Sequence, residues 1–257
     1  AAFASKQNLT IEQVREKVKL INQKLLNERD KRIRPGLDDK SLTSWNALMI
    51  TGFVDAYQAV GDELFLKGAL MNAKWLVKNQ LKKDNSLFHT YKNGESKIDG
   101  FLEDYCFTIE AFIKLYEVTF DETWIEKADA LTQFTIAHFY DEKSGMFFFT
   151  SDLSTDLIAR KMEISDNVIP STNSTMAKVL FKLGTLTANE DYISKSKQML
   201  SNVYDGMEAY GSAYSNWGML AMNMTYPYYE VAVTGGNWKK LSAELNTYYQ
   251  PNKVLMG

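Results

Sequence analysis

The chain has 257 residues, 45% apolar and 24% charged, enough for one large domain or two small ones with a substantial core. Lys+Arg 29 against Asp+Glu 32 leaves a net charge of -3, which argues against a basic nucleic-acid footprint over the whole chain. A single cysteine, Cys106, excludes an internal disulfide, and two histidines leave no ordinary Cys/His zinc set. No apolar run nears the ~20 residues of a membrane span. Ala1–Gln7 lacks the charged start and long apolar stretch of a signal peptide. The expectation is a cytoplasmic chain without metal or cofactor, not bound to nucleic acid or membrane. Its first residue is not Met, so a piece of a longer protein is expected.

In chain order, Leu9 to Asp30 predicts a charged amphipathic helix with Ile11, Val14, Val18, Ile21 and Leu25 on one stripe. Arg34-Pro35-Gly36 breaks it. Helical spacing resumes over 41–60, Gly61 stops it, and Asp62 caps a helix running to about Leu81. Ser86–Lys92 and Glu95–Ile98 flank Asn93-Gly94, the strongest short hairpin signal. The pattern then restarts. Helices 101–119 and 121–139 are followed by a second expected hairpin, Met146–Thr150 with Leu157–Glu163, and by a third helix pair, 171–187 and 189–205. Phe65, Trp124 and Tyr192 occupy matching places, 59 and then 68 residues apart. Ser212–Asn223 predicts one more inner helix and Tyr228–Val233 a strand.

The two helices of each pair differ. The first members carry 8 charged residues over 56 positions and the second members 15 over the same number, so the first are buried and the second outward-facing. Successive pairs therefore build an inner and an outer layer. The fold class expected is all-α, a partial (α/α)6 toroid of helical hairpins with short β-hairpin connectors. About eight helices are counted where a closed six-pair ring needs twelve. The domain expected is one toroid over 1–257, part of a longer chain.

Each inner helix opens on a polar cluster at the same end: Asp38-Asp39 to Asn46, Asp99 to Tyr105, and Asp166-Asn167 to Ser174. Asp, Ser and Thr at helix starts are ordinary caps. Glu103 and Asp104 differ, lying inside the first turn among apolar neighbours, where crowded carboxylates acquire the separated pKa values of acid–base catalysis. Asp104 is the expected general acid/base, with Asp39 or Asp166 as partner and Glu103 beside it. Trp45 and Tyr105 would stack on a sugar ring, with Trp217, Tyr226, Tyr228 and Tyr229 as further platform candidates, or all would be core. Asn46, Asn167, Ser171 and Asn173 would hydrogen-bond its hydroxyls. His89 and His138 align with none of the clusters and are taken as incidental, and Cys106 as a buried small residue. Gly235-Gly236 lacks the Lys-Ser/Thr of a phosphate loop.

These motifs resemble a known family. Arg34 to Lys40 running into Thr43 to Ile50, then Asp99 to Tyr105, Asp166 to Ser174, Tyr226 to Val233 and Gln250 to Leu255 resemble, in order, the spermatogenesis-associated protein 20 / YyaL family of DUF255-type, thioredoxin-domain-containing proteins. The resemblance implies a thioredoxin-like domain in the parent, then a six-hairpin toroid similar to N-acylglucosamine 2-epimerases and glycosidases. This chain has no Cys redox motif and corresponds to the toroid part. Such epimerases resemble acid–base machines with His near the ring centre, whereas no His aligns with the clusters here. The functions implied are a carbohydrate-directed enzyme, glycosidase- or epimerase-like, or a non-catalytic scaffold that binds a glycan or protein for the attached thioredoxin-like domain. A zinc-dependent toroid fails for want of ligands.

Overall fold

In the computed structural model, residues 2–154 and 159–257 are described, and they divide into two compact units, one ending at Asp39 and one from Lys40 onward. In the first unit, α1 (Ala2–Lys6) precedes α2 (Ile11–Asp30). Thr10 and Gln13 start α2 with a reciprocal capping box, which satisfies two otherwise orphaned amides. Its expected apolar stripe is present but unburied: Val18, Ile21 and Leu25 are all exposed.

The second unit repeats a helical hairpin. β1 (Ser41–Leu42) leads into α3 (Thr43–Val60), and α4 (Glu63–Asn79) returns outside it. β2 (Phe88–Lys92) and β3 (Glu95–Asp99) form the expected hairpin, with Thr90 opposite Lys97. Beyond it come α5 (Leu102–Thr119) and α6 (Glu122–Phe139), then α7 (Thr172–Thr187) and α8 (Glu190–Ala209). The layer assignment holds: α5 packs between α3 and α7, and each inner helix takes its own outer partner. The charge contrast is carried by α3 and α7, whereas α5, enclosed by neighbours on both sides, buries 14 of its 18 residues although its stretch is as charged as an outer helix. At the foot of each inner helix one residue turns left-handed: Gly61 (φ 73°), Phe120 (φ 52°) and Ala188 (φ 53°), at the same offsets as the aromatic markers. The turn is therefore a demand of the repeat, met once by glycine and twice against a steric cost of ~1 kcal/mol.

The second expected hairpin does not form as drawn. Met146–Phe147 (β5) pairs back onto Tyr140–Asp141 (β4), because Gly145 (φ 67°) closes a tight turn directly after α6. Residues 159–163 carry no strand, although Phe149 donates its N–H to the Lys161 carbonyl at 2.7 Å, and Leu157 lies outside the described residues. The expected inner helix over 212–223 splits into a 3-10 turn (Gly211–Tyr214) and α9 (Ser215–Thr225). After α9 the expected strand forms as β6 (Tyr229–Ala232), and with α10 (Trp238–Asn246) and β7 (Lys253–Met256), neither of which was expected, it makes a parallel βαβ unit. Among the described residues no helix is long and apolar enough to cross a membrane.

Candidate active site

The centre of interest is the start of α5. Its N-terminus is presented by the β2–β3 hairpin through Gly100, whose N–H bonds the Leu87 carbonyl at 2.7 Å. A Cβ there would lie 3.0 Å from that carbonyl oxygen and 3.1 Å from the Tyr105 ring, so only glycine permits the close approach. The start of α3 is fixed to the same hairpin. Thr43 Oγ1 donates to the Phe88 carbonyl at 2.5 Å and accepts from Gln80 Nε2 at 2.8 Å.

Between these anchors Asp104 is completely buried, and both of its oxygens are engaged. Oδ1 accepts the Ser44 amide at 2.9 Å; Oδ2 accepts the Phe101 amide at 2.9 Å and lies 2.9 Å from His89 Nδ1. Glu103 Oε1 lies 4.0 Å from the same nitrogen and accepts from Ser44 Oγ at 3.4 Å. The Asp104 hydrogen bond raises His89 above its usual pKa against the opposing effect of burial. Burial pushes Asp104 up, while His89 and the two amides pull it back. Glu103 is raised by burial and by the Asp104 charge. Glu163 is raised by burial and adds a little to the shift on Glu103. With Nδ1 committed to Asp104, Nε2 is the nitrogen left to exchange protons with a substrate.

His89 corrects the sequence reading, which set it aside. It enters because β2 folds directly over the N-terminus of α5, bringing residues 15 apart in the chain into hydrogen-bond contact. The available signal was the Asn93-Gly94 hairpin, whose return strand runs straight into the acidic cluster. His138 sits apart, paired with Asp152 at 2.9 Å and tilted against Phe134.

The other expected site residues have partners or positions of their own. Asp166 is a structural clamp: Oδ1 accepts the Ser171 amide and the Ser174 hydroxyl, each at 2.9 Å, and Oδ2 accepts the Asn216 amide at 2.8 Å. Burial pushes its pKa up, but these donors outweigh it and hold the carboxyl below its usual range. Asp39 is the exposed last residue of the first unit. Asn173 is buried and joins β5 to the preceding loop, accepting from the Phe147 amide and donating to the Phe147 and Glu163 carbonyls. Ser171 caps α7 and donates to the Ile164 carbonyl. Asn46 donates within its own helix to Leu42, and Asn167 is exposed on the loop before α7.

Of the aromatics, Tyr105 is core. It stacks on Phe134 at 5.4 Å, and its hydroxyl accepts the Leu87 amide. Trp217 is buried, donating to the Ile164 carbonyl, and Tyr228 packs edge-on against Phe181. Tyr226 and Tyr229 are exposed, Tyr229 on β6. Trp45 stays available, 60% exposed in the first turn of α3 beside Ser44. Cys106 is buried, and that burial pushes its thiol well up, as for a structural cysteine.

An arc of inner helices with outer partners and a polar cluster at the inner N-termini defines an α/α-toroid protein of the six-hairpin glycosidase and sugar-epimerase fold. Among solved structures, a cellobiose 2-epimerase from Bacillus thermoamylovorans superposes with TM-score 0.55 and 14% identity, covering 64% of this chain and 44% of that one. A GH76 α-mannanase from Bacteroides thetaiotaomicron gives TM-score 0.57 and 14% identity, covering 82% and 58%. The homologues in sequence are spermatogenesis-associated protein 20 of rat, 28% identical over 96% of this chain, and of human, 26% identical over 98%. The chain spans about a third of the length of these relatives, 33% and 34%. No protein-family profile matches it.

Proposed function

We propose that the start of α5 is a carbohydrate-directed acid–base site of the sugar-epimerase type. The observation that carries this reading is the 2.9 Å contact between His89 Nδ1 and buried Asp104, with Glu103 4.0 Å from the same nitrogen. A histidine oriented by a buried carboxylate is a competent general base, and an acid of raised pKa beside it is a competent proton donor. An open-chain sugar would bind with its C2–H at His89 Nε2. The neutral imidazole takes that proton, Glu103 in its acid form protonates the carbonyl oxygen, and an enediol results. Return of the imidazolium proton to C1, with ionised Glu103 taking the O2 proton, gives the ketose; delivery of a solvent proton to the opposite face of C2, with Glu103 taking back the O1 proton, gives the epimer. Asp104 holds the ring and stabilises the imidazolium. Trp45 offers an exposed ring face for the sugar.

Hydrolysis by two carboxylates fits less well. The contacting atoms of His89, Glu103 and Asp104 all lie within 4.8 Å of one another, tighter than the ~5–5.5 Å of retaining or ~6.5–9.5 Å of inverting carboxylate pairs. The fold neighbours include an epimerase, which supports the class of chemistry by analogy.

The test is solvent exchange at C2. Mannose, glucose and cellobiose are incubated with the chain in D2O and followed by proton NMR. Loss of the C2 proton signal for one sugar, abolished in His89→Asn and in Glu103→Gln, is the expected result. Exchange that survives His89→Asn would sink the assignment. Sugar binding without exchange would favour the alternative, a glycan-recognising scaffold.

A further inference from the structure

We propose that the outward stripe of α4, facing α10 across a groove, docks an amphipathic helix with acidic flanks presented by a partner protein. The stripe runs Leu64, Lys67, Met71, Lys74, the three- and four-residue spacing of one helix face, and Val60, the last residue of α3, precedes it across the Gly61 turn. Val60, Leu64 and Met71 are 67%, 72% and 68% exposed. Single exposed apolar residues mean little. The internal repeat supplies a control, since the same positions can be read on the other two outer helices.

On α6 they are Thr123, Glu126, Ala130 and Gln133; on α8 they are Asp191, Ser194, Gln198 and Ser201. Two outer helices therefore turn polar or small residues to solvent where α4 turns leucine, methionine and lysine. The difference is one of sequence, imposed on three copies of one geometry.

The groove beside this stripe has a volume of about 1230 Å³, and α10 forms its far wall with Trp238, Lys239 and Lys240. Its carboxylates are already engaged. Asp62 accepts the Leu64 amide, Glu63 accepts the Tyr57 hydroxyl, and Glu117 takes Lys182 and the Leu255 amide. Lys67, Lys74, Lys239 and Lys240 join no ion pair among the described residues, and Lys239 instead lies over the Trp238 ring. Unpaired cations on both rims over an apolar floor select an occupant apolar along one stripe and acidic on both sides. Leu64 to Lys74 spans ten helical steps, ~15 Å of helix, so the occupant makes about three turns of contact.

Fluorescence anisotropy tests this with a labelled synthetic peptide, leucine on one face and glutamate on both flanks, and with a twin carrying lysine for glutamate. The acidic peptide is expected to bind at least about tenfold tighter than its twin and to weaken with added salt. Lys67→Glu/Lys74→Glu should reverse that preference, and Met71→Asp should weaken the acidic peptide at every salt concentration. All substitutions are on an exposed face, and circular dichroism checks the fold. His89→Asn should leave peptide binding unchanged, which separates this surface from the site at α5. Equal binding of the twins, or no binding of the acidic peptide, overturns the proposal. So does a dimer in sedimentation velocity that Met71→Asp converts to monomer, since a second copy would then fill the groove.

Discussion

Asp104 and Asp166 stand at the openings of successive inner helices, one fully buried and one half-buried, and each carboxylate accepts three close hydrogen bonds. They differ in what donates. At Asp166 the close donors are two backbone amides and a serine hydroxyl, none of which gives up its proton near neutral pH. At Asp104 one of the three is an imidazole. The first arrangement holds a negative charge in place and lowers the pKa; the second shares a titrating proton and raises the pKa of histidine. An acidic residue at a helix start is thus a clamp or a candidate catalyst according to its donors, and its position in the repeat does not decide between them.

The comparison breaks most visibly at the clamp. Asp166→Ala orphans the Ser171 and Asn216 amides and frees the loop before α7 from the start of α9, and should cost about 3 kcal/mol in urea denaturation. If the cost is below about 1 kcal/mol, Asp166 is not the structural member of the pair.

Asp104→Asn should cost less, about 1–2 kcal/mol at pH 6, but it should alter the pH dependence. His89 has a raised pKa in the folded chain. Its contribution is full below the unfolded value of about 6.5 and is lost as pH rises through the folded value. The wild-type Tm should therefore fall as pH rises above about 6.5, and Asp104→Asn should flatten that slope while returning the His89 titration, followed by NMR, toward its ordinary value. An unchanged His89 titration would show that Asp104 does not set its pKa.

The serine hydroxyls give the smallest and sharpest contrast. Ser174→Ala removes a 2.9 Å donor from Asp166 and should cost about 1 kcal/mol of stability while letting the Asp166 titration rise toward its ordinary value. Ser44→Ala removes only a 3.4 Å contact to Glu103 and should leave stability within about 0.5 kcal/mol. Ser44 lowers the Glu103 pKa, so its loss should move the Glu103 titration upward. Equal stability costs for the two serines would erase the distinction.

The repeat, the inner and outer layers and the first hairpin were legible because each is written in local periodicity. Asp104 was legible because two acids sit one residue too deep to be caps. His89 was not, since its role depends on where a strand folds in space, and alignment to the helix starts cannot register a residue that lies between them. Asp166, Ser171 and Asn173 look polar and convergent in sequence, yet their partners are backbone groups of chain-distant loops, which carry no residue signature. The βαβ unit was half visible: β6 is an apolar run, whereas β7 is short and follows a tyrosine-rich turn.

Glu117, near the end of α5, accepts the amide of Leu255 across 138 residues of chain and takes Lys182 on its other oxygen. A ribosome must have made α6, α7, α8, α9 and the whole βαβ unit before that amide exists. Until then α5 holds a carboxylate close to core packing without its last donor, and the inner layer can assemble only provisionally. Closing so long a loop carries a large entropic cost and is slow. The seating of β7 is accordingly the step that should complete the packing around Glu117, and nascent chains stalled before Leu255 should leave this carboxylate open to water.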